Sequence, residues 1–161
     1  MTKLIIGLGN PELKYFNNRH NTGYIFIDKL LKRNIPKSVI AKKTNTFMND
    51  SGSIVKNLFD KYKISLNDLY IVHDDLDIAL GKYKIQKAVG PRLHNGIVSV
   101  DEKLKNTKYW RVRIGVDARE KDQRTPGKKY VLEDFEPEEK EILIEVIDKA
   151  INKLLFQIKN G

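Results

Sequence analysis

Short apolar runs alternate along the chain with longer amphipathic stretches, and the spacing of the apolar positions predicts a series of elements. Lys3–Leu8 is β-branched and apolar and is closed by Gly7, Gly9 and Pro11, the pattern of a buried strand followed by a turn. Asn21–Arg33 predicts a helix, with Ile25, Ile27, Asp28, Leu30 and Leu31 forming one stripe, and Pro36 ends that region. Ser38–Lys42 is a short strand candidate. Gly52–Lys63 repeats Val55, Leu58, Phe59 and Tyr62 at helical spacing. Leu69–His73 predicts a second buried strand, and the alternation in Gly81–Lys87 a half-buried one. Asn95–Leu104 predicts a short helix. Trp110–Val116 alternates Arg111 and Arg113 with Val112 and Ile114, as a strand with one polar face would. Asp117–Lys129 is polar, carries Pro126-Gly127 and predicts a loop. Pro137–Ile158 is the strongest helix: Pro137 suits a first turn, Glu138, Glu139 and Glu141 favour the helix dipole, and Leu143, Val146, Ile147, Ala150, Leu154 and Ile158 share one face.

Strands alternating with helices predict a single α/β domain over residues 1–161, with a mixed, centrally parallel sheet flanked by helices. In such sheets, sites gather at the C-terminal ends of the strands. The length of 161 residues suits one domain with a real core. No cysteine is present, which excludes a disulfide scaffold, a zinc ribbon, an iron–sulfur cluster and a thiol nucleophile. No apolar run approaches the ~20 residues of a membrane span, and the first residues lack a signal-peptide pattern, so a cytoplasmic location is expected.

The charge is unevenly placed. Residues 1–131 carry 26 basic and 13 acidic side chains, a surplus of +13, whereas residues 132–161 carry 4 and 8, a surplus of −4. A basic surface of this size attracts polyanions, although 23 of the 30 bases are lysines, which a Lys-rich composition alone would also give.

Candidate chemistry sits at turn-like segments beside these elements. The three histidines are His20, His73 and His94, two of them in identical His-Asn dipeptides and the third opening His73-Asp74-Asp75-Leu76-Asp77. Gly7-Leu8-Gly9-Asn10-Pro11-Glu12 is not a dinucleotide fingerprint: Glu12 replaces its third glycine, where a carboxylate would face the pyrophosphate. Ser51, in Asn49-Asp50-Ser51-Gly52, lacks a nucleophile elbow, and Ser51 or Asp50 is expected to cap the helix that follows. Asp74, Asp75 and Asp77 cannot all face one cation from a strand, so no metal site is expected. One carboxylate orienting an imidazole is the more economical use. Asn10, Asn49 and Asn95 are amides that both donate and accept, suited to gripping peptide groups. With neither thiol nor activated serine, water activated by histidine is the expected nucleophile, acting on an ester or amide.

These segments resemble the bacterial-type peptidyl-tRNA hydrolase family. The resemblance runs through almost the whole chain: Leu4-Ile5-Ile6-Gly7-Leu8-Gly9-Asn10-Pro11, Tyr15, Arg19-His20-Asn21 with Gly23, and Thr46-Phe47-Met48-Asn49 with Ser51-Gly52. It continues in His73-Asp74-Asp75-Leu76-Asp77 with Gly81, His94-Asn95-Gly96, Arg111-Val112-Arg113-Ile114-Gly115 and Tyr130-Val131-Leu132. It implies an enzyme that cleaves the ester between peptide and tRNA and so recycles tRNA, cofactor-free and monomeric, with peptidyl-tRNA as partner and no membrane. By the same resemblance His20 is the general base and Asp74 its orienting carboxylate. Asn10, Asn49 and Asn95 hold the peptide and the carbonyl under attack, Asn21 and Met48 line the site, and Tyr15 borders it. Lys84 and Arg113 fall where the family has basic residues near the tRNA backbone, and the side chain of Arg113 is expected to leave the core.

The chain also departs from the family pattern. Glu12 follows Asn10-Pro11, Gln86 stands at a commonly basic position, the stretch from Arg33 to Thr46 is shortened, and Ala88-Val89-Gly90-Pro91-Arg92-Leu93 has lost most glycines of a flexible loop. That loop is therefore expected to be stiffened or reshaped. The rival reading is a non-catalytic RNA-binding protein on the same scaffold.

Overall fold

The computed structural model describes residues 1–122 and 124–161. Five strands form one sheet in the order β2-β1-β3-β5-β4: β1 (Lys3–Gly7), β2 (Val39–Lys43), β3 (Leu69–Ala79), β4 (Tyr83–Lys87) and β5 (Trp110–Asp117). The pairings β1–β2, β1–β3 and β3–β5 are parallel, and β4 closes the edge antiparallel to β5. The helices are α1 (Thr22–Leu30), α2 (Ser51–Lys61), α3 (Asn95–Leu104), a single turn α4 (Gly127–Tyr130) and α5 (Pro137–Asn160).

The pleat of the central strands sorts the core into two layers. Ile5, Tyr70, Val72, Val112 and Ile114 meet Ile27 and Leu30 of α1 and Leu143, Ile147 and Ile151 of α5. Leu4, Ile6, Leu69 and Ile71 face the other way, onto Val55 of α2 and Ile97 and Val100 of α3. α5 begins with Pro137 in its first turn and a reciprocal capping box between Glu136 and Glu139. Gly23 lets α1 start hard against the sheet. A Cβ there would lie 2.4 Å from the Leu8 carbonyl oxygen and 2.5 Å from that of Val72.

Several elements differ from the sequence reading. β3 runs to Ala79 rather than stopping at His73, because Asp74 and Asp75 keep pairing with Ile114 and Gly115 before the register breaks. The polar stretch 117–129 contains the turn α4, while Gln123 lies outside the described residues. In α1 the buried face is Tyr24, Phe26, Ile27 and Leu30, and Leu31 is exposed. Asp50 occupies the N-cap position of α2, but its side chain makes no capping hydrogen bond, and the Ser51 hydroxyl donates to the Met48 carbonyl at 2.6 Å. Single 3-10 turns precede both α1 (Arg19–Asn21) and α2 (Met48–Asp50), and these turns carry the polar motifs.

Candidate active site

His20 stands in the 3-10 turn before α1, and a distant segment fixes its backbone. The N–H groups of Arg19 and His20 donate to the carbonyls of Glu133 (3.1 Å) and Val131 (2.8 Å), and the Phe135 N–H returns to Asn17 (3.0 Å). The Arg19 guanidinium lies 3.8 Å over the Tyr130 ring and pairs with Glu139 at 2.7 Å. This small ribbon ties His20 to the wall of the cleft that it lines.

The imidazole Nδ1 of His20 lies 2.9 and 3.0 Å from the two carboxylate oxygens of Asp74, in the middle of β3. An ionised carboxylate only accepts, so Nδ1 carries the proton and Nε2 keeps a lone pair. His94 completes the cluster from the N-cap of α3. Its Nδ1 accepts from the N–H groups of Gly96 (3.1 Å) and Ile97 (3.3 Å), which fixes the proton on Nε2, 2.9 Å from Asp74 Oδ1. Burial pushes the Asp74 carboxyl up, but the two imidazoles outweigh it and hold the group far below the usual carboxylate range. Burial lowers the His20 value, and the Asp74 charge and hydrogen bond more than reverse this, so His20 titrates above 6.5. His73, wholly buried beside His94 and Arg111, is pushed down to about 3. It stays neutral and spends its Nδ1 proton on the Asp74 carbonyl at 2.8 Å.

His20, Asp74 and His94 place three donor atoms within 4.8 Å of one another, a spacing that would admit a cation. The protons do not fit one. Ligation through His94 Nε2 would need that nitrogen stripped while Nδ1 still accepts two backbone N–H groups, which demands an imidazolate.

Asn10 follows β1 and is held on both sides of its peptide unit. Its N–H donates to Asn21 Oδ1 (2.8 Å), and Asn21 Nδ2 donates to its carbonyl (2.9 Å). Asn10 Oδ1 accepts the Met48 N–H at 2.8 Å, which leaves its Nδ2 donors for the cleft.

Two clefts meet at His20. The wider, about 420 Å³, is lined by Asn10, Tyr15, His20, Met48, Asn49 and Asn95, so it gathers six of the residues singled out from the sequence. The narrower, about 310 Å³, reaches Asp74 and His94 past Leu76, Leu93 and Val131. Asn21 lines neither: it is wholly buried and acts on the cleft through Asn10.

Arg113 departs from expectation. It does not leave the core but is 6% exposed, its Nε on Asp75 and its Nη1 on Gln86, each at 2.7 Å. Arg111 on the same face pairs with Asp101 at 3.3 Å. Lys84, opposite Arg113 across the β4–β5 pair, is exposed. Gly90 packs against the Arg113 guanidinium, and Arg92 bonds Asp77 through both N–H and Nε, at 2.9 and 3.2 Å, so the glycine-poor loop is anchored.

Sequence reasoning gave no role to His94, Arg19 or Lys128. The first is an unusual N-cap residue, and the other two act through contacts more than a hundred residues apart in the chain.

A carboxylate-held imidazole with its second nitrogen free, beside fixed amide donors, is the arrangement that a hydrolase using general-base catalysis requires. The comparisons with known proteins give the class a family. The family model described as peptidyl-tRNA hydrolase matches residues 4–161, and the chain belongs to that family. The peptidyl-tRNA hydrolase of Citrifermentans bemidjiense is 36% identical over 177 residues, covering 99% of this chain and 93% of that one. That of Aquifex aeolicus is 35% identical over 175 residues, covering 98% and 90%. The crystal structure of peptidyl-tRNA hydrolase from Acinetobacter baumannii superposes with a TM-score of 0.80 at 27% identity, covering 98% of this chain and 90% of that one.

Proposed function

We propose that the protein hydrolyses the ester between a peptide and the 3′-terminal ribose of tRNA, returning free tRNA. The observation that carries this reading is His20, held through Nδ1 by Asp74, with Nε2 available in the cleft that Asn10 lines. A water on Nε2 gives its proton to His20 as its oxygen attacks the ester carbonyl carbon. The Asn10 Nδ2 group donates to the oxyanion, and Asp74 stabilises the imidazolium. Collapse breaks the bond to the ribose 3′-oxygen, which takes the proton back from His20. One water is consumed, and a peptide carboxyl and a tRNA 3′-hydroxyl are formed.

Tyr15, Met48, Asn49 and Asn95 hold the peptide side, Asn21 sets the position of Asn10, and Lys84 meets the tRNA backbone. Arg113, sealed by Asp75 and Gln86, supports the sheet edge beside Lys84 instead of touching RNA. The protein acts as one domain over residues 1–161, as a monomer in the cytoplasm, without cofactor. Among the described residues no helix is long and apolar enough to cross a membrane.

A non-catalytic RNA binder has no use for an oriented base, and the comparisons lend that alternative no support. The test is turnover of a purified peptidyl-tRNA. His20→Ala should lose about 10²- to 10⁴-fold in rate while still binding tRNA. A variant keeping more than about a tenth of the wild-type rate overturns the role of His20.

A further inference from the structure

Lys128 lines both clefts, together with His20, Asn95 and Val131. Among the described residues lining either cleft it alone carries a permanent positive charge, the rest being amides, apolar side chains, Tyr15, the two imidazoles and Asp74. It is exposed, and among the described residues it makes no ion pair.

Its backbone position relative to the base is fixed. Lys128 lies in α4, where the Val131 N–H donates to the Gly127 carbonyl at 3.1 Å, and the Val131 carbonyl accepts the His20 N–H at 2.8 Å. Of the two cations that the resemblance places near RNA, Arg113 is spent on Asp75 and buried, and Lys84 lines neither cleft. Among the described residues the clefts therefore hold one lysine beside His20 and no carboxylate but Asp74.

The substrate chemistry says what such a cation meets. In a tRNA ester the 3′-oxygen that carries the peptide and the 5′-phosphate of the same nucleotide sit on one ribose ring. When the ester carbonyl is at His20, that phosphate lies one ribose away, on the same nucleotide. We propose that Lys128 binds the 5′-phosphate of the terminal nucleotide, so that the enzyme selects esters carried on an RNA phosphate over bare nucleoside esters. This rests on the functional reading above. Lysine suits the task, because its ammonium on a flexible stem follows a phosphate as the ribose settles.

The experiment compares one acylated amino acid esterified to the 3′-oxygen of adenosine with the same acyl group on adenosine 5′-monophosphate. Wild type should prefer the phosphorylated ester by roughly tenfold in kcat/KM, the worth of one charge-assisted hydrogen bond, expressed mainly in KM. Lys128→Ala should abolish the preference and Lys128→Arg should restore most of it. With full peptidyl-tRNA, Lys128→Ala should also flatten the slope of log(kcat/KM) against log[salt] by about 0.7, as loss of one single-strand phosphate contact requires. An equal loss on both esters places Lys128 at the reacting carbonyl or the peptide and overturns the proposal, as does a preference that survives in Lys128→Ala. A wild-type protein that cleaves peptidyl-tRNA but shows no phosphate preference overturns this proposal alone. One that cleaves no ester overturns the functional reading and this proposal with it.

Discussion

Replacing Asp74 by Asn tests the site more sharply than removing it. The carboxylate accepts from His20 through both oxygens, at 3.0 and 2.9 Å, and from His94 through Oδ1, at 2.9 Å. His94 cannot change its proton, because Gly96 and Ile97 donate to its other nitrogen. An Asn at 74 must therefore turn its oxygen toward His94, which puts its NH₂ against His20 Nδ1. Two donors cannot face each other, so the His20 proton moves to Nε2, the nitrogen needed as base. The expected loss in kcat is about 10³- to 10⁴-fold with the geometry kept, the scale of a wrong-tautomer imidazole. The pH profile gives a second, independent readout. His20 must be neutral to act, and Asp74 holds its value above 6.5, so the acid limb of wild-type kcat/KM should lie above 6.5. In the variant, burial is left unopposed and the limb should move below it. The pair also links stability to pH. The raised His20 value gives stabilisation that is full below 6.5 and fades as pH rises through the folded value. The lowered Asp74 value gives stabilisation present above 3.8 and lost as pH falls through the folded value. Denaturant titration should show the largest gap between wild type and Asp74→Asn between those two values. A variant with more than about a tenth of the wild-type rate, or an unmoved acid limb, would refute the tautomer argument.

Arg113→Ala leaves the Asp75 carboxylate buried without its partner and should cost about 3–5 kcal/mol in urea unfolding, with the salt slope of tRNA binding unchanged. A loss below about 1 kcal/mol would show the pair to be solvated. Asn21→Ala removes both hydrogen bonds that frame the Asn10 peptide unit, so kcat should fall although Asn21 touches no cleft. In a double-mutant cycle that loss should shrink once Asn10 is already Ala, and full additivity would refute the coupling.

The sheet and its helices were legible because their burial patterns are local. Asn95–Leu104 is a helix over those residues, and α5 was marked by its Pro137 start and apolar stripe. The end of β3 was not, because consecutive aspartates resemble a turn until a neighbouring strand pairs with them. The alternation of Arg111 and Arg113 with Val112 and Ile114 located β5 correctly but not its environment. A periodic charge is the same in sequence whether it meets water or a buried carboxylate, and here Asp101 and Asp75 supply the carboxylates. The site was legible through its motifs, which carried His20, Asp74 and the asparagines. What they could not carry was direction: Asn21, next to the base in sequence, turns its amide back onto Asn10. The cleft wall at Lys128 and Val131 has no local pattern, and it reaches the base only through contacts between the two ends of the chain.

Those contacts have a consequence for the order in which the molecule becomes competent. All five strands have been synthesised once Asp117 is made, so the sheet and the Asp74 carboxylate can assemble from the growing chain. The backbone N–H of His20 has no partner until Val131 follows, that of Arg19 none until Glu133 does, and the Arg19 guanidinium lacks its carboxylate until Glu139 is made. These are the most distant pairings around the site, and contacts of such separation close late. A nascent chain halted before Val131 would thus carry the Asp74 carboxylate without the anchored turn that brings His20 to it, and one face of its sheet would still await α5.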